Sequence, residues 1–122
     1  MENFQIKFDI RILELEKENR WSDAADLAFR FWLANPDSLN CLLCAGTQIW
    51  YTLLVLDDIK DESLALRKID LISDEQLKNN LMRVTRYGFE HFSNDSAFNA
   101  YFGYMISVMP YLFLDYNGDY LG

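Results

Sequence analysis

Apolar residues fall at Phe4, Phe8, Ile12 and Leu15, while Lys7, Arg11, Glu14 and Glu18 lie toward the opposite side. That is the period of one buried helix face, so the spacing predicts a helix from about Phe4 to Glu18. In the next segment Ser22 offers a capping hydroxyl, and Asp23 and Asp26 occupy a first turn where carboxylates favour the positive end of the helix dipole. Pro36 restricts Asn35 to extended backbone, so this second helix is expected to end at about Ala34. Its Ala24, Ala25 and Ala28 leave room for a neighbouring helix to approach closely.

The third pattern is the clearest, running through Leu39, Leu42, Leu43, Gly46, Ile49, Trp50 and Leu53 to about Leu56, with Asp37 or Ser38 as its cap. The polar run DDIKDES interrupts it, and a short fourth helix is expected from Ser63 to Ile72. Ser73 with Gln76 matches a capping box for a fifth, carrying Leu77, Leu81, Val84, Gly88 and Phe92. SNDS then caps a sixth through Phe98, Tyr101, Phe102, Met105, Val108 and Leu112, which Pro110 should bend or end. No alternating strand pattern of useful length appears, and no low-complexity linker divides the chain. The expected fold is all-α: one domain over residues 1–122, an antiparallel helix-hairpin stack or bundle of about five to six helices.

Ser38 to Leu56 and Ser96 to Leu114 carry no charge, and each is nearly long enough to span a bilayer. Asn40, Thr47, Gln48 and Thr52 interrupt the first, Asn99, Ser107 and Pro110 the second, and neither is flanked by anchoring Lys or Arg. They read as two central buried helices covered by the charged ones. Met1-Glu2 leads into a charged amphipathic segment instead of a basic and then apolar export signal, so a cytoplasmic protein is expected. The two cysteines, Cys41 and Cys44, suit such a reducing compartment.

The segment NRWSDAADLAFRFWLANPDS resembles the second helix of a tetratricopeptide repeat. Counting back from Pro36 as the repeat's late proline, Ala24 falls on the small interhelical position, and Phe8 and Leu15 on large positions of the first helix. Ile12, Ala28 and Phe31 depart from the pattern, and the resemblance covers about one repeat, residues 5–38. Gly103 and Tyr104 are spaced somewhat as in a first repeat helix. The resemblance implies stacked helix hairpins with a groove that binds protein or peptide, and no enzyme.

Reactive chemistry finds little support in the residues. Cys41 and Cys44 are the one metal-like or redox-like spacing, but no second pair or His cluster completes a zinc site, and both lie within an apolar helix. His91 is the sole imidazole and reads as a favourable group at a negative helix end. Glu14 and Glu18 read as a solvated face without the Glu-x-x-His companion of di-metal bundles. DYNGDY lacks the glycine position and closing Glu of a calcium loop, and the glycines form no phosphate cradle. Neither a catalytic residue nor a cofactor is expected, and no metal site.

The net charge is −8, and from Tyr87 onward four acids stand without a Lys or Arg. Such an end repels nucleic acid and anionic lipid and attracts a basic protein. Lys78, Arg83 and Arg86 give only a modest basic side. Aromatic residues make up 16% of the chain, enough to leave rings over once the core is filled. In size, acidity and helicity the chain resembles the immunity proteins of bacterial contact-dependent inhibition systems. That resemblance implies a basic partner, a nuclease-type toxin domain whose active site is occluded. The candidate patch is Asp115, Tyr116, Asp119 and Tyr120, joined by Asp57, Asp58, Asp61 and Glu62. The alternative is a tetratricopeptide-like adaptor or chaperone that binds peptide in a groove, and the spare rings would equally suit a homodimer interface.

Overall fold

The computed structural model describes residues 7–58 and 74–113, and every regular element among them is helical. The order is α1 (Ile10–Lys17), α2 (Trp21–Ala34), α3 (Leu39–Asp58), α4 (Asp74–His91) and α5 (Ser96–Val108), then a 3-10 turn at Pro110–Phe113. The architecture is the expected all-α helical stack. The expected helix over 63–72 and the Ser73 cap lie outside the described residues.

The uncharged α3 is the hub, packing against α2, α4 and α5, whereas α1 packs against α2. Leu42, Leu43, Ala45 and Ile49 of α3 are fully buried among Phe29 and Trp32 of α2, Leu77, Leu81 and Val84 of α4, and Phe98, Phe102 and Met105 of α5. A smaller cluster joins Ile12 of α1 to Ala24 and Ala28 of α2, where the alanines admit the neighbour as their size requires. No described helix is long and apolar enough to cross a membrane.

Two glycines make the tightest joints. A Cβ on Gly88 of α4 would stand 2.1 Å from the Phe98 ring, and one on Gly46 of α3 would stand 2.7 Å from the Phe102 ring. Those two rings stack on each other with centroids 4.6 Å apart. The pair of phenylalanines is therefore seated in a notch on each of two neighbouring helices.

The helix ends differ in places from the periodic pattern. Among the described residues α1 starts at Ile10, after the non-helical residues 7–9, because Asp9 caps it: its carboxylate accepts from the Arg11 N–H at 2.9 Å, and its own backbone is extended; the expected start at Phe4 lies outside the described residues. The Arg11 guanidinium grips both oxygens of that carboxylate and holds its pKa below the ordinary value. Lys7, ahead of the cap, is held to α3: its N–H donates to Asn40 Oδ1 at 2.8 Å, and its carbonyl accepts from Asn40 Nδ2 at 3.0 Å.

Ser22 is not a cap. α2 starts one residue earlier with no side-chain cap, and the Ser22 hydroxyl is buried without a partner among the described residues. The backbone makes the turn instead. Asn19 takes φ 61°, the left-handed conformation asparagine tolerates, while Arg20 N–H donates to the Leu15 carbonyl and Asn19 N–H to that of Glu16. That arrangement closes α1 and launches α2 without a capping side chain.

Other boundaries follow expectation. α2 ends at Ala34, and Ser38 Oγ accepts from the Cys41 N–H to cap α3. Tyr87 of α4 donates to Asp37 Oδ1 at 2.7 Å, tying the α2–α3 connection to α4 and pushing the phenol's pKa up. α5 is capped by Asp95, which accepts from the N–H groups of Ala97 and Phe98, and ends just before Pro110. Asp95→Ala is expected to cost about 1 kcal/mol in urea unfolding, the usual value of an N-cap, and to fray the first turn of α5 in hydrogen exchange.

Candidate functional site

The described surface holds an apolar hollow of about 300 Å³ between α1, α3 and α5. On α3 it is walled by Thr47, Gln48, Trp50 and Tyr51, and on α5 by Tyr101, Tyr104 and Met105. Positions 47, 50 and 51 repeat the spacing of 101, 104 and 105, each set projecting from one helix face. Phe8 enters from the segment that Asn40 clamps, and Glu16 closes the α1 side as the one charged wall residue.

Several of these rings are not spent on the core. Tyr104 is 63% exposed and Tyr51 48%. Trp50 meets the Tyr104 ring at 6.1 Å, and Trp21 meets Tyr51 at 5.4 Å, so the exposed tyrosines are braced by indoles on their inner sides. Two side-chain nitrogens of wall residues, the Gln48 amide and the Trp50 indole, are buried out of solvent reach and have no hydrogen-bond partner among the described residues. Burying such a group without a bond costs on the order of 1–3 kcal/mol.

α1 adds exposed apolar surface beside the hollow, at Ile10 and Leu13. Glu16 borders both this region and the hollow. The periodic pattern missed this face because Tyr51, Tyr101 and Tyr104 fit a core stripe as well as a surface one. What would have flagged them is their number within uncharged helices that already had enough aliphatic residues for a core.

Of the candidate patch read from the sequence, Asp57 and Asp58 form the last residues of α3, which runs on past Leu56 to include them. Asp61, Glu62, Asp115, Tyr116, Asp119 and Tyr120 lie outside the described residues.

The reactive candidates sit apart from the hollow. Cys44 is buried in α3, its thiol donating to the Lys7 carbonyl at 3.3 Å, and burial pushes its pKa up to about 12. A thiol held there stays protonated and inert at neutral pH. Iodoacetamide at pH 7.5 is therefore expected to modify at most Cys41 in the native protein, with Cys44 labelled only after denaturant is added, as peptide mass mapping would report. His91 ends α4, exposed, with its ring stacked on Tyr87 at 4.0 Å. Glu14 is exposed, and Glu18 is exposed with Arg20 at 3.6 Å. Among the described residues no group of three or more His, Cys, Asp or Glu is placed to hold a metal. Compared with family models, curated proteins and solved structures, the chain matches none.

Proposed function

We propose that the chain is a small acidic recognition protein that docks a basic polypeptide, and in its most specific form an immunity protein that occludes the active site of a nuclease-type toxin. One observation carries the reading: a concave apolar surface ringed by Trp50, Tyr51, Tyr101 and Tyr104 on a chain of net charge −8. Tyrosine and tryptophan are the residues that most often anchor interfaces, since they bury a large rigid surface and keep a polar handle. Net acidity supplies the long-range attraction that raises the encounter rate with a cationic partner. The acids of the terminal patch would then steer, and the rings would hold.

A tetratricopeptide-like adaptor is the second reading. It is favoured by the close α1–α2 hairpin, in which Ala24 is fully buried beside Ile12 at the small position of the repeat. The two differ in what they bind: a folded basic toxin domain, or an extended peptide of any charge.

The test is co-expression with the product of an adjacent gene. An immunity protein rescues growth from a toxic basic neighbour and sediments with it as a one-to-one complex. Asp115→Asn with Asp119→Asn should slow association and flatten its salt dependence. A chain that neither protects nor binds at low salt would end the immunity reading.

A further inference from the structure

α5 breaks a rule that the other surface helices keep. An exposed helix ordinarily turns charged residues to water, and α1, α2 and α4 do so with Glu14 and Lys17, with Arg30, and with Arg83, Arg86 and Glu90. The exposed face of α5 runs through Asn99, Ala100, Gly103, Tyr104, Ser107 and Val108, and carries no charge at all. Tyr104 is 63% exposed there, and Val108, one turn on, 44%. The centre of the face is open: a Cβ on Gly103 would meet nothing within 4 Å.

The polar side chains on this face already bond within the chain. Asn99 Nδ2 donates to the Ser93 carbonyl at 2.9 Å, and Ser107 Oγ donates to the Tyr104 carbonyl at 2.8 Å. Covering them therefore costs less than covering an unpaired amide or hydroxyl. Small residues at 100, 103 and 107 let another helix approach at the short end of the usual spacing of about 8–10 Å between axes. Rings and small neutral groups with charge excluded are the composition of an interface core.

The charge pattern also selects the occupant. Two copies of a chain of net charge −8 repel wherever their carboxylates meet. The α5 face is a place where they do not, and a two-fold axis sets the same neutral surface on both sides. Its size fixes the strength. A helix of 13 residues offers a strip about 20 Å long and about 10 Å wide. Two such strips bury about 400 Å², or about 800 Å² with the rim of the hollow around Tyr51, below the roughly 1,200 Å² of a stable specific interface.

We propose that a second copy of the chain covers this face: two α5 helices pack across a two-fold axis, with Tyr104 and Val108 of both copies buried between them, in a weak dimer with a dissociation constant of about 100 μM. The dimer does not depend on the identity of any other partner. A basic polypeptide that takes the hollow uses the same Tyr104 ring and displaces the second copy.

The test is sedimentation equilibrium of the full chain from about 10 μM to about 1 mM, with ¹⁵N spectra over the same range. The average mass is expected to rise from 14.4 kDa toward twice that, and the amide signals that move with concentration should fall in Ser96–Val108. Raising the salt from about 0.05 M to about 0.5 M should tighten the dimer about threefold or more by screening the repulsion between two acidic copies, the opposite sign to the docking of a basic partner. Gly103→Glu adds a carboxylate in open space on each copy, and is expected to weaken the dimer about tenfold or more without lowering the circular dichroism melt. Leu33→Glu, at an exposed apolar position of α2, adds the same charge elsewhere and should change the dimer by less than about twofold. A mass that stays at 14.4 kDa at the top concentration in high salt overturns the proposal. So does a dimer that survives Gly103→Glu, or one that Leu33→Glu weakens as much, because the contact then lies off α5. A soluble paramagnetic probe that fails to reach Tyr104 even at the lowest concentration would show the face covered within one chain, and overturns it too.

Discussion

Gly88→Ala is expected to lower the free energy of unfolding by about 2–3 kcal/mol in urea denaturation followed by circular dichroism. In an open helix this change stabilises by about 0.5–1 kcal/mol, because alanine has the higher helix propensity. Here the added methyl would stand 2.1 Å from Phe98 Cε1 and 2.6 Å from its Cζ, inside any allowed contact. The ring cannot give way. It is fully buried, packed edge-on against Phe89 and stacked on Phe102, and Phe102 is itself blocked by Gly46 and Phe113. Relief at one contact therefore creates a clash at the next, and the backbones of α4 and α5 have to part. Gly103→Ala is the control: a Cβ there meets nothing within 4 Å, so the propensity gain of about 0.5–1 kcal/mol should appear alone. Phe98→Leu should recover part of the loss when combined with Gly88→Ala, giving a non-additive cycle. Equal effects at the two glycines would show that the notch is not tight.

The same joint shows which parts of the fold periodicity can reach. Each helix follows from three-four spacing because burial repeats with the helical turn, and α2 and α5 end where Pro36 and Pro110 require. Gly46 and Gly88 also lie on the buried stripes, but their role depends on which ring faces them, and that pairing comes from tertiary packing. The failures are at helix starts. Asp9 is one polar residue within a continuous amphipathic pattern, and its capping role goes with the hold on Lys7, outside the helix, by Asn40, which lies 33 residues beyond Lys7 in the chain. Ser22 had the right chemistry for a cap, yet a backbone turn at Asn19 already closed the α1–α2 connection and drew Ser22 into the interior. A local rule cannot foresee such long-range competitors.

For the candidate site, composition pointed to spare rings and net acidity but could not place them. The terminal tyrosines, Tyr116 and Tyr120, stand out in the sequence because acids flank them in the chain. Tyr51 and Tyr104 gain their acidic neighbour, Glu16, only through the packing that brings α1, α3 and α5 around one hollow. A surface assembled from three helices has no contiguous signature.

Tyr104→Ala is expected to weaken binding of the basic partner by about 2 kcal/mol or more, roughly thirtyfold, in calorimetric titration. Its effect on folding should be small, within about 0.5 kcal/mol, because the ring is 63% exposed and alanine suits the interior of α5. The combination matters, since a residue that served only packing would lose stability and affinity together. Tyr104 has the attributes of an anchor: its ring is held at 6.1 Å from Trp50, so little conformational freedom is lost when a partner covers it. Val108→Ala controls for apolar area. Val108 is 44% exposed on the same helix and is not part of the hollow's wall, so its truncation should change affinity by less than about 0.5 kcal/mol. Tyr104→Phe should retain most of the binding if the ring face makes the contact, and should match the alanine variant if the hydroxyl does. Affinity unchanged in Tyr104→Ala would move the docking surface off the hollow, leaving the acidic residues of the terminal patch as the place to look.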